Sequence, residues 1–125
     1  MKRLYELADH PNFKLMIDMT AISVSGESIQ QWFDVFGKNI EHVHFQDFNP
    51  YGHYIWGERN RNLREDLEIM VKNGYEGYFT QELTIADYYL DPLKYDRRNV
   101  QNLKMYMQQV KWDRRIPCGL KNYLV

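Results

Sequence analysis

The sequence predicts an α/β protein in which about three parallel strands alternate with helices. Three short apolar runs each end in polar residues, which is typical of buried parallel strands that stop at the edge of a sheet. Between these runs, apolar residues recur three and four positions apart, as they do on one face of a helix. The order is helix, strand, helix, strand, helix, strand, helix. Such alternation indicates parallel strands joined by right-handed crossovers.

Length and composition restrict the function classes. The 125 residues suffice for one domain, and 44% hydrophobic with 26% charged residues excludes a disordered chain. The net charge is −1 without any block of like charges, so we predict neither nucleic acid nor a membrane as partner. Cys118 is the only cysteine, and the N-terminus lacks the apolar segment of a signal peptide. Together these features predict a cytoplasmic protein.

The first predicted strand follows a short N-terminal helix. Lys2–Ala8 has the mixed charged and apolar spacing of an amphipathic helix. Residues 13–19 form a short apolar run that reads as a buried strand. Alternation places Leu15 and Ile17 on one face of this strand and Asp18 on the other. The strand therefore ends with a carboxylate on the face that does not pack against a crossover helix.

A helix and the second strand come next. Ser25 and Ser28 are candidate N-caps, and Gly37 ends the helix, whose apolar face consists of Ile29, Trp32, Phe33 and Phe36. The second strand covers residues 40–47. By alternation, Val43 and Phe45 share the packed face, and the opposite face carries His42, His44 and Gln46. A polar, glycine-containing loop, residues 48–62, follows and is long enough to indicate a functional loop.

The remaining elements complete the alternation. A third helix ends at Asn73-Gly74, and its apolar face consists of Leu63, Leu67, Met70 and Val71. Residues 77–83 form the third strand, with Glu82 on the same face as Tyr78 and Thr80. The last helix starts at Asp91-Pro92, an N-cap followed by proline, and its apolar stripe is Val100, Leu103, Met107 and Val110. We predict one domain over residues 1–111 and leave the tail, residues 112–125, unassigned.

Each of the three strands carries an ionisable residue near its carboxyl end: Asp18, His44 and Glu82. If the strands are neighbours, these side chains converge at one edge of the sheet, where α/β proteins place their chemistry. One imidazole and two carboxylates suit a divalent ion. The alternatives are ordinary ones: a strand-end Asp often caps a helix, and a buried His is often a hydrogen-bonded core residue. Alternation by itself does not choose between His42 and His44.

Several segments in order resemble the C-terminal part of the xylose-isomerase-like TIM barrels: LMIDM, IEHVHFQD, HYIWGE, NGYEGYFTQEL and the Tyr-x-x-Asp-Pro that follows. This family comprises sugar isomerases and epimerases such as the D-tagatose, D-psicose and fructoselysine 3-epimerase types, the last being the type that the chain most resembles. The resemblance covers residues 13–107. It implies a partial (β/α)8 barrel that consists of the last three βα units.

The resemblance also implies a site and a reaction. Asp18, His44 and Glu82 correspond to three of four ligands of one divalent metal, with Mn²⁺ favoured over Co²⁺, Mg²⁺ and Zn²⁺. Glu82 would also be a catalytic acid/base residue that moves a proton beside the carbonyl of a ketose or fructosamine, through an enediolate. The expected substrate is therefore a small sugar. His53 and Glu58, in the loop after the histidine strand, are candidate substrate contacts.

The sequence departs from the family pattern at several positions, and these departures leave alternatives to a complete sugar isomerase or epimerase. The first metal glutamate would lie on a strand before Lys2–Ala8, which this sequence does not contain, so we expect an incomplete barrel that forms a homo-oligomer to cover its open edge. One alternative is a non-catalytic or truncated fragment that oligomerises. Another is an endonuclease-IV-like phosphodiesterase, but Ala21 and Tyr51 stand where a multi-zinc cluster would need ligands. Arg59 replaces the second glycine of a Pro-Gly-x-Gly loop, which predicts a reshaped loop near the substrate.

Overall fold

The structure of the protein is a computed structural model that describes residues 1–110. The predicted tail, residues 112–125, with Cys118 in it, and the last residue of the predicted domain lie outside the described residues. Within residues 1–110 no helix combines the length and the hydropathy needed to cross a membrane.

The described part of the chain contains the predicted succession of helices and strands, and adds a short helix directly after the first strand and a hairpin after the second, neither of which the sequence predicted. Its helices are α1 (Lys2–Ala8), α2 (Met19–Val24), α3 (Ile29–Phe36), α4 (Leu63–Lys72) and α5 (Pro92–Gln109). Its strands are β1 (Leu15–Asp18), β2 (Ile40–His44), β3 (Asp47–Asn49), β4 (Gly52–Tyr54) and β5 (Tyr78–Thr80). Two short 3₁₀ turns, Gly37–Asn39 and Ala86–Leu90, precede β2 and α5.

Three strands form a parallel sheet in the order β1-β2-β5. Asp18 is in register with His44, and His44 with Thr80, so the strands end at a common edge. The prediction of parallel strands alternating with helices is confirmed. This arrangement agrees with part of a barrel, whose closure would require further strands.

The helix ends follow local sequence signals. Ser28 caps α3 in a reciprocal arrangement with Gln31, a capping box, and so decides between the two predicted serines. Gly37 ends α3 with φ +49°, a conformation in which glycine is favoured. Asp91 accepts a hydrogen bond from the backbone N–H of Lys94 and starts α5, as its Asp-Pro sequence predicts.

The loop predicted over residues 48–62 is more ordered than expected. It contains an antiparallel hairpin, β3 paired with β4, in which Phe48 lies opposite His53. The predicted second strand, residues 40–47, is divided, because β2 ends at His44 and Asp47 already belongs to the hairpin. The third strand also ends early, so Glu82 lies two residues beyond β5.

One face of the parallel sheet packs against the helices. Ile17, Val43 and Phe45 are fully buried there, as alternation predicts. The indole N–H of Trp56 donates to the backbone carbonyl of Phe45 and joins the segment after the hairpin to β2. Buried Asn99 on α5 accepts a hydrogen bond from the backbone N–H of Trp56 at 2.8 Å. The core therefore fixes the elements that carry the opposite, open face.

Candidate metal centre

Three ionisable side chains meet at the carboxyl edge of the sheet. Asp18 is the last residue of β1, His44 is the last residue of β2, and Glu82 follows β5. Nδ1 of His44 lies 3.4 Å from Oδ2 of Asp18 and 3.8 Å from Oε2 of Glu82. One potential ligand atom from each residue lies within 4.8 Å of the other two. The structure thus brings together the three residues that the sequence singled out as metal ligands.

Asp18 uses its two carboxylate oxygens differently. Oδ1 accepts the backbone N–H of Ala21 at 2.8 Å and caps α2, which starts immediately after the strand. Oδ2 faces His44. The helix-cap interpretation and the metal-ligand interpretation are therefore compatible, because each uses a separate oxygen. The cap also limits the rotation of the carboxylate and directs Oδ2 to the cluster.

His53 also reaches this cluster. Its Nδ1 lies 3.2 Å from Oε2 of Glu82, the same oxygen that faces His44. The backbone around His53 is tied to the segment after Glu82, since its N–H donates to Oγ1 of Thr84 at 2.8 Å and its carbonyl accepts the N–H of Thr84 at 3.2 Å. The β3–β4 hairpin, which the sequence did not reveal, carries this histidine to the triad.

Two further polar residues near the site were missed at the level of sequence. Oγ1 of Thr20 lies 3.2 Å from Nε2 of His53, and the side-chain amide of Gln46 donates to the same Oγ1 at 3.1 Å. Gln46 is fully buried. For Gln46 a partial signal existed, because it follows His44 by two positions and alternation places both on one face. Thr20 lies in α2, where this alternation does not apply.

His42 lies beside the triad without joining it. Its Nε2 is 2.7 Å from Oγ1 of Thr80, and its ring lies edge-on to that of His44 with centroids 5.5 Å apart. Burial, and then the charge of His44, lower the pKa of His42 below its ordinary value. The group of three potential ligands contains His44 and not His42, a choice that alternation could not make.

Glu58, a candidate substrate contact, makes its contacts elsewhere. The hydroxyl of Tyr88 donates to Oε2 of Glu58, and Nη1 of Arg98 lies 3.1 Å from Oε1. Burial, followed by the hydrogen bond to Glu58, raises the pKa of Tyr88 to about 12. The structure therefore places His53 beside Glu82 of the triad, whereas Glu58 contacts Arg98 on α5 and Tyr88 in the turn before it.

The geometry of the triad suits a single divalent ion. Ligand atoms that share one ion at about 2.1 Å lie roughly 3–4 Å apart. The two separations from Nδ1 of His44, 3.4 and 3.8 Å, fall in this interval, and a ligand atom of Asp18 lies within 4.8 Å of one of Glu82. The donor set, one imidazole nitrogen and two carboxylate oxygens, is one that divalent transition ions accept. Residues 1–110 contain no second group of three or more potential ligands of this kind.

Comparison with known proteins relates the chain to sugar epimerases. It is 31% identical over 105 residues to the fructoselysine 3-epimerase of Escherichia coli O157:H7 and, equally, to the protein of the same name from Shigella flexneri. The match covers 82% of this chain but 38% of each relative, so the chain spans well under half the length of those proteins. No protein-family model matches the sequence, and no solved structure gives a significant match.

Proposed function

We propose that this chain forms the metal-binding part of a sugar isomerase or epimerase that acts on a ketose or fructosamine. The observation that supports it is the convergence of Asp18, His44 and Glu82 at the edge of a parallel sheet, in a chain related to fructoselysine 3-epimerase. Because the chain spans 38% of that relative, the substrate and the complete reaction are part of the proposal.

In this proposal Asp18, His44 and Glu82 hold the divalent ion. Carboxylate oxygens favour Mn²⁺ or Mg²⁺, and the imidazole shifts the preference toward Mn²⁺, with Co²⁺ and Zn²⁺ as alternatives. When bound, the ion polarises the carbonyl and hydroxyl oxygens of the sugar. Asp18 would contribute Oδ2, since Oδ1 accepts a hydrogen bond from the backbone N–H of Ala21.

Glu82 would be the proton-transfer residue. Its side chain is 43% exposed at the edge of the sheet, so a sugar in the open space beside the strands can reach it. A carboxylate there can remove the proton on the carbon next to the ketose carbonyl and leave an enediolate. Return of a proton to the opposite face requires a second acid, which the resemblance assigns to a glutamate on a strand that precedes α1.

A metal titration tests the site. Protein freed of metal with a chelator is titrated with Mn²⁺ or Co²⁺, and we expect one bound ion in the wild type. Asp18→Ala and Glu82→Gln should weaken this binding strongly. Glu58→Gln is the matched control, because Glu58 contacts Tyr88 and Arg98 instead of the triad. Failure of the wild type to bind any of these ions above the Asp18→Ala variant would contradict the proposal.

Hydrogen exchange with solvent tests the chemistry. In deuterium oxide, with metal and a ketose or fructosamine, we expect deuterium at the carbon next to the carbonyl of the recovered sugar, because Glu82 alone can remove the proton and return a deuteron on the same face. Glu82→Gln should abolish the exchange while the protein stays folded. A wild-type protein that binds metal but catalyses no exchange on either class of sugar would favour the non-catalytic alternative for this chain.

We also propose that the chain self-associates through its open sheet. Within the described residues, β1 and β5 are the outer strands of the parallel sheet, and each pairs on one side only. On the open face Met16 is 43% exposed and Tyr78 is 60% exposed. Unpaired strand edges beside exposed apolar side chains favour association. Light scattering at micromolar concentration should show a dimer or larger species, and a clean monomer would contradict this expectation.

A further inference from the structure

We infer that His53 is a positioning residue for Glu82, held in one tautomer by Thr20 and Gln46, and that it acts on this carboxylate rather than on the substrate. The inference rests on the proposed function, since it assigns the network behind the proton-transfer carboxylate. Its evidence is a continuous series of contacts, from Gln46 through Thr20 and His53 to Oε2 of Glu82, with separations of 3.1, 3.2 and 3.2 Å.

The direction of the hydrogen bonds follows from the donor and acceptor types. A lone pair on Nδ1 of His53 would repel the Glu82 oxygen that lies 3.2 Å away, so in the neutral ring the proton belongs on Nδ1. Nε2 then accepts from the hydroxyl of Thr20. The Thr20 oxygen in turn accepts from the side-chain amide of Gln46. Thr20 and His53 thus each accept a hydrogen bond on the side of Gln46 and present a donor on the side of Glu82.

Burial makes this arrangement demanding. Gln46 is fully buried, and Nδ1 of His53 is a buried atom without a hydrogen bond of good geometry. Buried polar atoms without partners are rare and costly. Oε2 of Glu82 contacts Nδ1 of His53. A small rotation of the carboxylate would let it accept a hydrogen bond from the Nδ1–H group. The pairing of the His53 backbone with Thr84 holds the hairpin beside the segment that follows Glu82.

The consequence concerns the orientation of the Glu82 carboxylate. Nδ1 of His53 contacts Oε2, and this contact directs the carboxylate toward His44. Groups that orient a ligand in this way typically change metal affinity by about 10–100-fold when they are removed. A residue that only packed the hairpin would change protein stability without this specific effect on the metal.

The tautomer of His53 tests the network without any metal. Nitrogen NMR of the metal-free protein, recorded at a pH at which the spectrum itself shows a neutral ring, distinguishes a proton on Nδ1 from one on Nε2. We expect the proton on Nδ1 in the wild type and a mixture of tautomers in Thr20→Val. Thr20→Ser keeps the hydroxyl and should retain the wild-type tautomer. A proton on Nε2 in the wild type would overturn the inference.

Metal affinity provides the second test. Cobalt titration, read by its visible absorption, should show about 10–100-fold weaker binding in His53→Leu. His53→Asn retains an N–H donor close to the Nδ1 position and should recover most of the affinity. Equal losses in both variants would overturn the positioning role, and so would unchanged affinity in His53→Leu. If His53→Leu does not fold, the cobalt affinities of Thr20→Val and Thr20→Ser are compared instead, and Thr20→Val should bind cobalt more weakly.

The two tests separate the inference from the proposed function. If the wild type binds metal no more strongly than Asp18→Ala, the metal-site proposal fails, and the tautomer of His53 still tests the hydrogen-bond network. If the wild type binds metal but His53 has its proton on Nε2, the positioning role fails and the metal site remains.

Discussion

The two faces of the parallel sheet are built from alternate residues of the same strands, yet they differ in almost every property. On the packed face Ile17 and Val43 have no exposed surface, whereas on the open face Tyr78 is 60% exposed. The packed face is apolar, and the open face carries Asp18, His44 and polar Thr80. The period of two along a strand therefore divides one sheet into a side that stabilises the fold and a side free for chemistry.

Carboxylates show the same contrast. Asp66, in the helix layer, is held by Arg61 through contacts of 2.6 and 3.1 Å, and Arg61 also donates to Ser23. This carboxylate has a permanent cationic partner. Asp18 and Glu82 instead face imidazole rings. An ion pair already satisfied within the protein has no need of a metal, whereas the carboxylates at the edge of the sheet remain able to bind one.

The largest expected effect concerns the packed face. Phe45→Ala should lower the free energy of unfolding by about 3–5 kcal/mol, because it removes a fully buried ring that contacts Trp56 and Phe79. Urea denaturation measures this change. Phe45→Leu is the control and should cost less, since it keeps most of the apolar volume. A loss below about 1 kcal/mol for the alanine variant would contradict the assignment of this face to the core.

His44, the neighbour of Phe45 on β2, tests the opposite face. His44→Ala should weaken metal binding by about 100-fold or more, which corresponds to about 2.7 kcal/mol. The unfolding free energy of the metal-free protein should change by about 1 kcal/mol or less, because the side chain lies on the open face. Metal titration and urea denaturation of the same variant give both values. A variant that loses stability but keeps metal affinity would reverse the roles of the two faces.

Gly77 directly precedes β5 and packs closely against the backbone of β2, so a substitution there should affect both faces of the sheet. A Cβ at this position would lie 2.3 Å from the backbone carbonyl oxygen of Glu41, so Gly77→Ala must displace β5 from β2. We expect a loss of about 1–3 kcal/mol in unfolding free energy, with weaker metal binding because Glu82 follows β5. Gly74→Ala is a useful comparison, since φ is +66° there but no atom lies within 4 Å of the added Cβ. Unchanged metal affinity in a destabilised Gly77→Ala would show that the site tolerates movement of β5.

The smallest expected effect is a pH dependence on the packed side. Burial raises the pKa of Asp66, and the opposing effect of Arg61 is smaller. Since the folded pKa exceeds the unfolded value near 3.8, Asp66 contributes stability that is present below this pH and is lost as the pH rises through the folded pKa. The unfolding free energy of the wild type minus that of Asp66→Asn should therefore fall as the pH rises from about 3 to 7. A difference that grows with pH would mean that the Arg61 ion pair outweighs burial.

Local signals in the sequence were sufficient for most of the fold. Apolar spacing predicted α3, α4 and α5, and alternation assigned Ile17 and Val43 to the packed face. The Ser28 cap and the Asp91-Pro92 start depend on residues within three positions of one another. These features can be read from a sequence because their physical cause, steric periodicity and short-range hydrogen bonding, acts over a few residues.

The polar residues of the strands also pointed to Asp18, His44 and Glu82, because parallel strands that end together bring their last side chains together. Only the tertiary structure decided what surrounds these three. Thr20 and His53 are 33 positions apart, and the hairpin that brings His53 to Glu82 lies where the sequence predicted a polar loop. Glu58 accepts a hydrogen bond from Tyr88, 30 positions away, instead of contacting the triad. Contacts of this kind depend on how whole elements pack, and the sequence by itself, through its short periods, determined the edge of the sheet but not the network behind it.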